Sequence, residues 1–283
     1  MVTTPRMPLP PDPPEPIRSP ARAGRAAPAR WRSVALPIEH GGWGFLIEPI
    51  LLGLLAAGSA AGLWLAVAGL GLFLFRQPFR IALKDWLRRK RYARTALAER
   101  FAAGFGIGAV VASALAILTR QGDFWLPVVL AVLLALVQLR YDTLGQARKL
   151  LPEVAGALAL NGLAPAMAMA GGWSSEGALL LWLILGGRTV TSILYVRVRL
   201  RRIRGEAARS DAVVVSHLLA LALLAVLALA DRIPPLAALA VLPLLGRAVY
   251  GLSPTRAPVR ARTVGFQEMG YGVLYAILVA LGY

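Results

Sequence analysis

The chain has no cysteine in its 283 residues. Disulfides, thiolate metal sites and cysteine nucleophiles are therefore excluded. Histidine is almost missing too. His40 and His217 are the only two, too few for a histidine cage, although a mixed histidine and carboxylate metal site stays open. Acids are scarce, with 14 Asp and Glu against 31 Lys and Arg, for a formal charge of +17. In a soluble protein that excess would point to nucleic acid. A secretory signal is also lacking, because residues 1–35 carry arginines but no apolar core ahead of a cleavage site.

What is abundant is apolar sequence: 58% of the residues are hydrophobic, above the roughly 45–50% of soluble domains. Apolar stretches of about 18 residues recur along the chain, which predicts an all-α, polytopic membrane helix bundle. Residues 1–36 hold nine of the 20 prolines and six arginines, so this Pro/Ala/Arg-rich tail is expected to be disordered and cytoplasmic. Residues 37–283 then form the transmembrane domain, with nine predicted spans at 43–59, 61–76, 101–119, 123–139, 153–171, 176–196, 212–230, 233–250 and 266–283. Tight hairpins are expected at Gly58–Gly62, Arg120–Asp123, Gly171–Ser175 and Asp231–Pro235.

The distribution of cations accounts for the basic excess. The tail and the alternate loops carry 27 Lys and Arg, whereas the four hairpins carry only Arg120 and Arg232. The positive-inside rule then places the N-terminus in the cytoplasm and Tyr283 outside. Most loop arginines need no role beyond topology and contact with an anionic leaflet, so lipids and not nucleic acid are the expected partners. In loop 76–100, Phe79, Leu83, Trp86 and Leu87 recur at helical spacing among cations. That pattern predicts either an amphipathic helix on the cytoplasmic interface or a gate over a cavity.

Ionisable groups inside spans cost about 2.5–3.5 kcal/mol at mid-membrane, so each calls for a partner or a function. Glu48, Arg188 and Arg247 lie within spans, Glu153 and Glu268 near span starts, and Asn161 within the fifth. All of the charged ones fall in the cytoplasmic half. They form either a polar cavity open to the cytoplasm, or two buried pairs, Glu48–Arg188 and Glu268–Arg247, that lock helices together. The densest chemistry is Pro37–Pro49, which holds Glu39, His40, Trp43 and Glu48. Pro49 frees the carbonyl of Phe45 and kinks the first span beside Glu48. On a continuous helix, His40 and Glu48 would stand about 80° apart and line one wall, while Trp43 suits the aromatic belt. His217 has no ionisable neighbour in sequence and is expected to hydrogen-bond another helix.

The stretch from Pro37 through His40-Gly41-Gly42-Trp43, followed by Leu51-Leu52-Gly53-Leu54-Leu55, resembles the start of the YwiC-like family of bacterial membrane proteins. Residues 150–160 and 194–200 resemble further segments of that family, although Ile38 stands where a basic residue is usual. The resemblance implies a multi-pass protein of the bacterial cytoplasmic membrane and no particular activity. A weaker resemblance is to UbiA-type prenyltransferases, which have nine spans and hold Mg²⁺ with aspartate-rich loops. The matching positions here are Gln77, Ile81 and Asp85, and the second loop carries Arg197, Arg199, Arg201 and Arg202 in place of acids. Mg²⁺ is therefore not favoured.

These readings converge on a basic cytoplasm-facing cavity that binds or modifies a lipid-like or amphipathic anion. His40 or Glu48 would handle the proton. Glu39, Trp43, Arg76, Asp85, Asp142, Arg188, Tyr195, Arg197 and Arg247 would contact the substrate. A transporter and a non-catalytic assembly protein are the alternatives, and whether the protein is an enzyme is left open.

Overall fold

A computed structural model describes residues 31–37, 40–253 and 259–283, and among them every regular element is a helix. The order is α1 (Trp31–Ala35), α2 (His40–Ala56), α3 (Ala60–Leu87), α4 (Ala93–Thr119), α5 (Trp125–Thr143), α6 (Leu150–Asn161), α7 (Leu163–Ala170), α8 (Ser175–Ile203), α9 (Asp211–Leu229), α10 (Pro235–Leu239), α11 (Val241–Gly251) and α12 (Ala261–Ala280). Each predicted span coincides with one helix or a consecutive helix pair. Six of them are long and apolar enough to cross a bilayer: α3, α4, α5, the α6–α7 pair, α8 and α9. Helix α2 from Gly42 and the α10–α11 pair are shorter apolar helices.

Both breaks within helix pairs have a proline behind them. Pro165 and Pro243 lack the amide that would bond the carbonyls of Asn161 and Leu239, so the helix loosens at Gly162 and Ala240. Pro49 and Pro78 sit inside α2 and α3, which run on past them.

Two expectations change. Loop 76–100 is not a separate interfacial helix, because α3 continues unbroken to Leu87 and α4 resumes at Ala93. At 28 residues, α3 is about 42 Å long and outreaches a hydrocarbon core of about 30 Å. Buried polar bonds hold the projecting end helical: Asp85, fully buried, accepts from Arg94 at 2.9 Å and from Thr95 at 2.8 Å. The second change concerns the tail, whose residues 1–30 lie outside the described residues. Trp31–Ala35 is helical, with Val34 and Ala35 buried and Val34 in a small cluster with Ala82 and Ala98.

The main core is built from α2, α3, α4, α7, α8, α9, α10, α11 and α12 around Leu52, Met167, Leu181, Leu185 and Tyr275. Around it the outward faces are apolar. Only 6% of the spanning window of α5 is buried, and Leu118 and Leu229 are 79% and 86% exposed. Such a surface suits hydrocarbon and would be a liability in water.

The helix ends sort themselves to opposite poles. Gln121 donates its amide to the Ala170 carbonyl, Gly171 packs on Ser59, Arg232 pairs with Glu176, and the Trp173 ring meets Tyr283. All four hairpins and the C-terminus therefore gather at one pole. At the other pole, Arg197 bonds Glu153 at 2.6 Å and the Arg148 carbonyl, Arg202 bonds the Leu252 carbonyl, and Arg80 approaches Asp142.

Candidate functional site: a buried charge network

Helix α8 is long, and it carries Arg188, Ser192, Tyr195 and Arg199 at steps of four, three and four residues, which is one helical face. All four are buried. Helix α12 presents Glu268, Tyr271, Gly272 and Tyr275 at a similar repeat. The bundle turns these stripes toward Glu48 of α2, His217 of α9 and Arg247 of α11.

The contacts form one chain. Arg188 donates to Glu48 Oε1 at 2.9 Å and to the Glu268 carbonyl at 2.9 Å. The Glu268 carboxylate pairs with Arg247. Arg247 also donates to His217 Nε2 at 3.2 Å, and the His217 Nδ1 lies 2.7 Å from the Val213 carbonyl. A guanidinium only donates and a carbonyl only accepts, so Nδ1 carries the proton, Nε2 is bare and the ring is neutral. The Arg247 guanidinium lies 4.1 Å from the Tyr195 ring centre and 5.6 Å from that of Tyr271. Ordinary hydrogen bonds frame the network: Asn161 donates to Thr189 at 2.6 Å and Tyr275 to the Ile184 carbonyl at 2.9 Å.

Close helix approach makes these contacts possible. Gly44 faces the backbone of Met269, and a Cβ at Gly272 would run into the Glu48 carboxylate and approach Arg188 Nη2 at 2.7 Å. Glycine at 272 lets α12 come near enough for its carbonyl to reach Arg188.

Two acids and two guanidiniums balance with a neutral histidine, so the network has no net charge when ionised. It is not fully satisfied. Among the described residues, Glu48 Oε2, Glu268 Oε1, Asn161 Oδ1, Arg188 Nε and Ser192 Oγ are buried without a partner from the protein. Three of the five can only accept a hydrogen bond while the carboxylates are ionised. Orphaned acceptors at this density suit a proton, a water chain or a small cation more than an anion.

Of the residues singled out in the sequence, Glu48, Arg188 and Arg247 come together in the two ion pairs, Glu48–Arg188 and Glu268–Arg247, that the sequence offered as helix locks, and the Tyr195 ring lies against Arg247. His217 bonds another helix, as expected. The other described ones lie apart from the network. Arg76 is exposed on α3, Asp85 is engaged by Arg94 and Thr95, Asp142 approaches Arg80, and Arg197 pairs with Glu153. Trp43 packs edge-on against Phe73 of α3 at 5.1 Å. Glu39 and the side chain of His40 lie outside the described residues, although the His40 backbone opens α2. Sequence reasoning gave Ser192, Tyr271 and Tyr275 no role. The polar stripes of α8 and α12 were the signal that would have found them.

No curated protein and no solved structure matches this chain. The family model described as YwiC-like protein matches residues 36–168, which include α2 with Glu48 and the α3–α4 hairpin. Residues 36–168 of this multi-pass protein thus match the YwiC-like family.

Proposed function

We propose that this protein is a proton-linked membrane transporter and that the Glu48–Arg188–Glu268–Arg247–His217 network is its proton-handling site. The observation that carries this reading is a pair of carboxylates, Glu48 buried and Glu268 part-buried, each held by an arginine through one oxygen and left with a buried second oxygen that no protein group meets. Ionisable residues inside membrane helices are costly and mark ion or proton pathways. Breaks at Gly162 and Ala240 and the proline in α2 add support, because discontinuous helices accompany binding sites in secondary transporters. The reading takes the nine apolar segments as spans of a bacterial cytoplasmic membrane, with the basic pole inside, as the charge bias supports.

An anionic amphiphile bound at this network, the other expectation, would meet guanidiniums already paired with acids. A pure helix lock needs no orphaned acceptors.

Recording transient currents after a pH jump, on proteoliposomes adsorbed to a solid-supported membrane, tests the proposal. The wild type should give a current that Glu48→Gln and Glu268→Gln each lower at least about tenfold, the size of a 1.4 kcal/mol penalty. A wild-type current no larger than that of empty liposomes would overturn it.

A further inference from the structure

Away from the network, the projecting half of α3 carries a second feature. Arg76, Arg80, Lys84 and Arg88 follow one another at four-residue steps, and all four are exposed. Steps of four form a single ridge along a helix, here about 18 Å long. Among the described residues, Asp142 is the one acid within salt-bridge distance of this ridge, 3.9 Å from Arg80. Four cations held in a row with so little compensation repel one another, so the arrangement favours an anion across them.

The ridge has an apolar companion. Phe79 and Leu83 precede Arg80 and Lys84 by one residue, a rotation of about 100°, and each is 37% exposed. Phe79 stacks on Phe75 at 4.9 Å, which stiffens this second row. An anion that used both rows would be an amphiphile, with its charged group on the cations and its chain along the rings.

Depth points the same way. Arg76 lies 16 residues beyond Ala60, about 24 Å along the helix, and the later cations step outward from there. With a hydrocarbon core of about 30 Å, the ridge runs from just inside the apolar edge into the headgroup layer. Long side chains at that level extend their charge toward phosphates while their stems stay apolar.

We infer that the Arg76–Arg88 ridge of α3 is a binding site for the phosphate headgroup of an anionic phospholipid, whose acyl chain lies against Phe79 and Leu83. The site is separate from the buried network and does not depend on that network's role.

The full-length protein in nanodiscs of phosphatidylcholine with a minor fraction of phosphatidylglycerol supplies the test. Native mass spectrometry should show phosphatidylglycerol retained over phosphatidylcholine. The variant Arg76→Gln/Lys84→Gln/Arg88→Gln should lose that preference by roughly fivefold per cation removed. Arg120→Gln/Arg232→Gln, at the opposite pole, should keep it. A diazirine-bearing phosphatidylglycerol on the wild type provides a readout independent of any variant's folding, and its adducts should map to residues 72–88. Adducts spread evenly over the lipid-facing helices, or a triple variant with unchanged preference, would overturn the assignment. So would displacement of phosphatidylglycerol by inorganic phosphate at millimolar concentration, which would make the ligand a soluble phosphate.

Discussion

The buried charges are the residues whose loss should be felt most. Glu48 and Arg188 have side chains only 2% and 1% exposed, and removing one partner of such a pair costs about 3–5 kcal/mol because the other charge is left unpaired. Arg188→Ala should therefore lower unfolding stability in detergent by that amount. Glu48→Gln/Arg188→Met, which removes both charges, should recover most of it. Equal losses in the single and double variants, read by denaturant titration, would show that the ion pair is not what matters there. Gly272 is a second sensitive residue, since even a methyl group would press into the Glu48 carboxylate. Gly272→Ala should cost about 1–3 kcal/mol, as overpacking does. In the same titration, a loss no larger than that of Gly270→Ala, where a Cβ meets open space, would count against the close α2–α12 approach.

Among the elements, the α3–α4 hairpin is the one whose form the sequence leaves open. Its cations and ring residues fit an interfacial helix as well as a continuous one, because both have the same helical repeat. Burial of Asp85 against Arg94 and Thr95 selects the continuous form, a contact between residues nine and ten apart. The element should open when that contact is removed. Charge-assisted hydrogen bonds contribute about 1.5–3 kcal/mol. Asp85→Asn should thus raise trypsin cleavage at the Arg88–Arg91 turn by about tenfold or more, measured on the folded protein by intact-mass analysis. Cleavage at the wild-type rate would mean that Asp85 does not hold the hairpin shut.

For the molecule as a whole, the absence of cysteine is an experimental advantage: any single cysteine introduced is the only thiol. The two poles can then be assigned to the two sides of the membrane. Lys90→Cys in the turn after α3, and Gln121→Cys in the hairpin after α4, are both exposed positions. With a membrane-impermeant maleimide, Lys90→Cys should label only in inverted vesicles and Gln121→Cys only in right-side-out vesicles. Labelling of both from the same side would refute the arrangement of basic pole inside and hairpins outside.

Amino-acid order by itself determined the helical membrane class, the positions of the apolar segments and the hairpins between them. These follow from runs of apolar residues and from turn chemistry, which are local properties. It also marked Glu48, Arg188 and Arg247 as exceptional, because a charge inside an apolar run is visible without any partner. What only the tertiary structure decided was the company each charge keeps. Arg188 and Glu268 are 80 residues apart in the chain and Arg247 and His217 are 30 apart, so no local pattern joins them. The same holds for Arg197, which reads as an anion contact in a basic loop but pairs with Glu153, 44 residues before it. Packing of α12 through Gly44 and Gly272 brings its Glu268 carbonyl within hydrogen-bond distance of Arg188, which also holds Glu48. Whether a buried charge is satisfied or left with a free acceptor depends on that distance, which sequence does not encode locally.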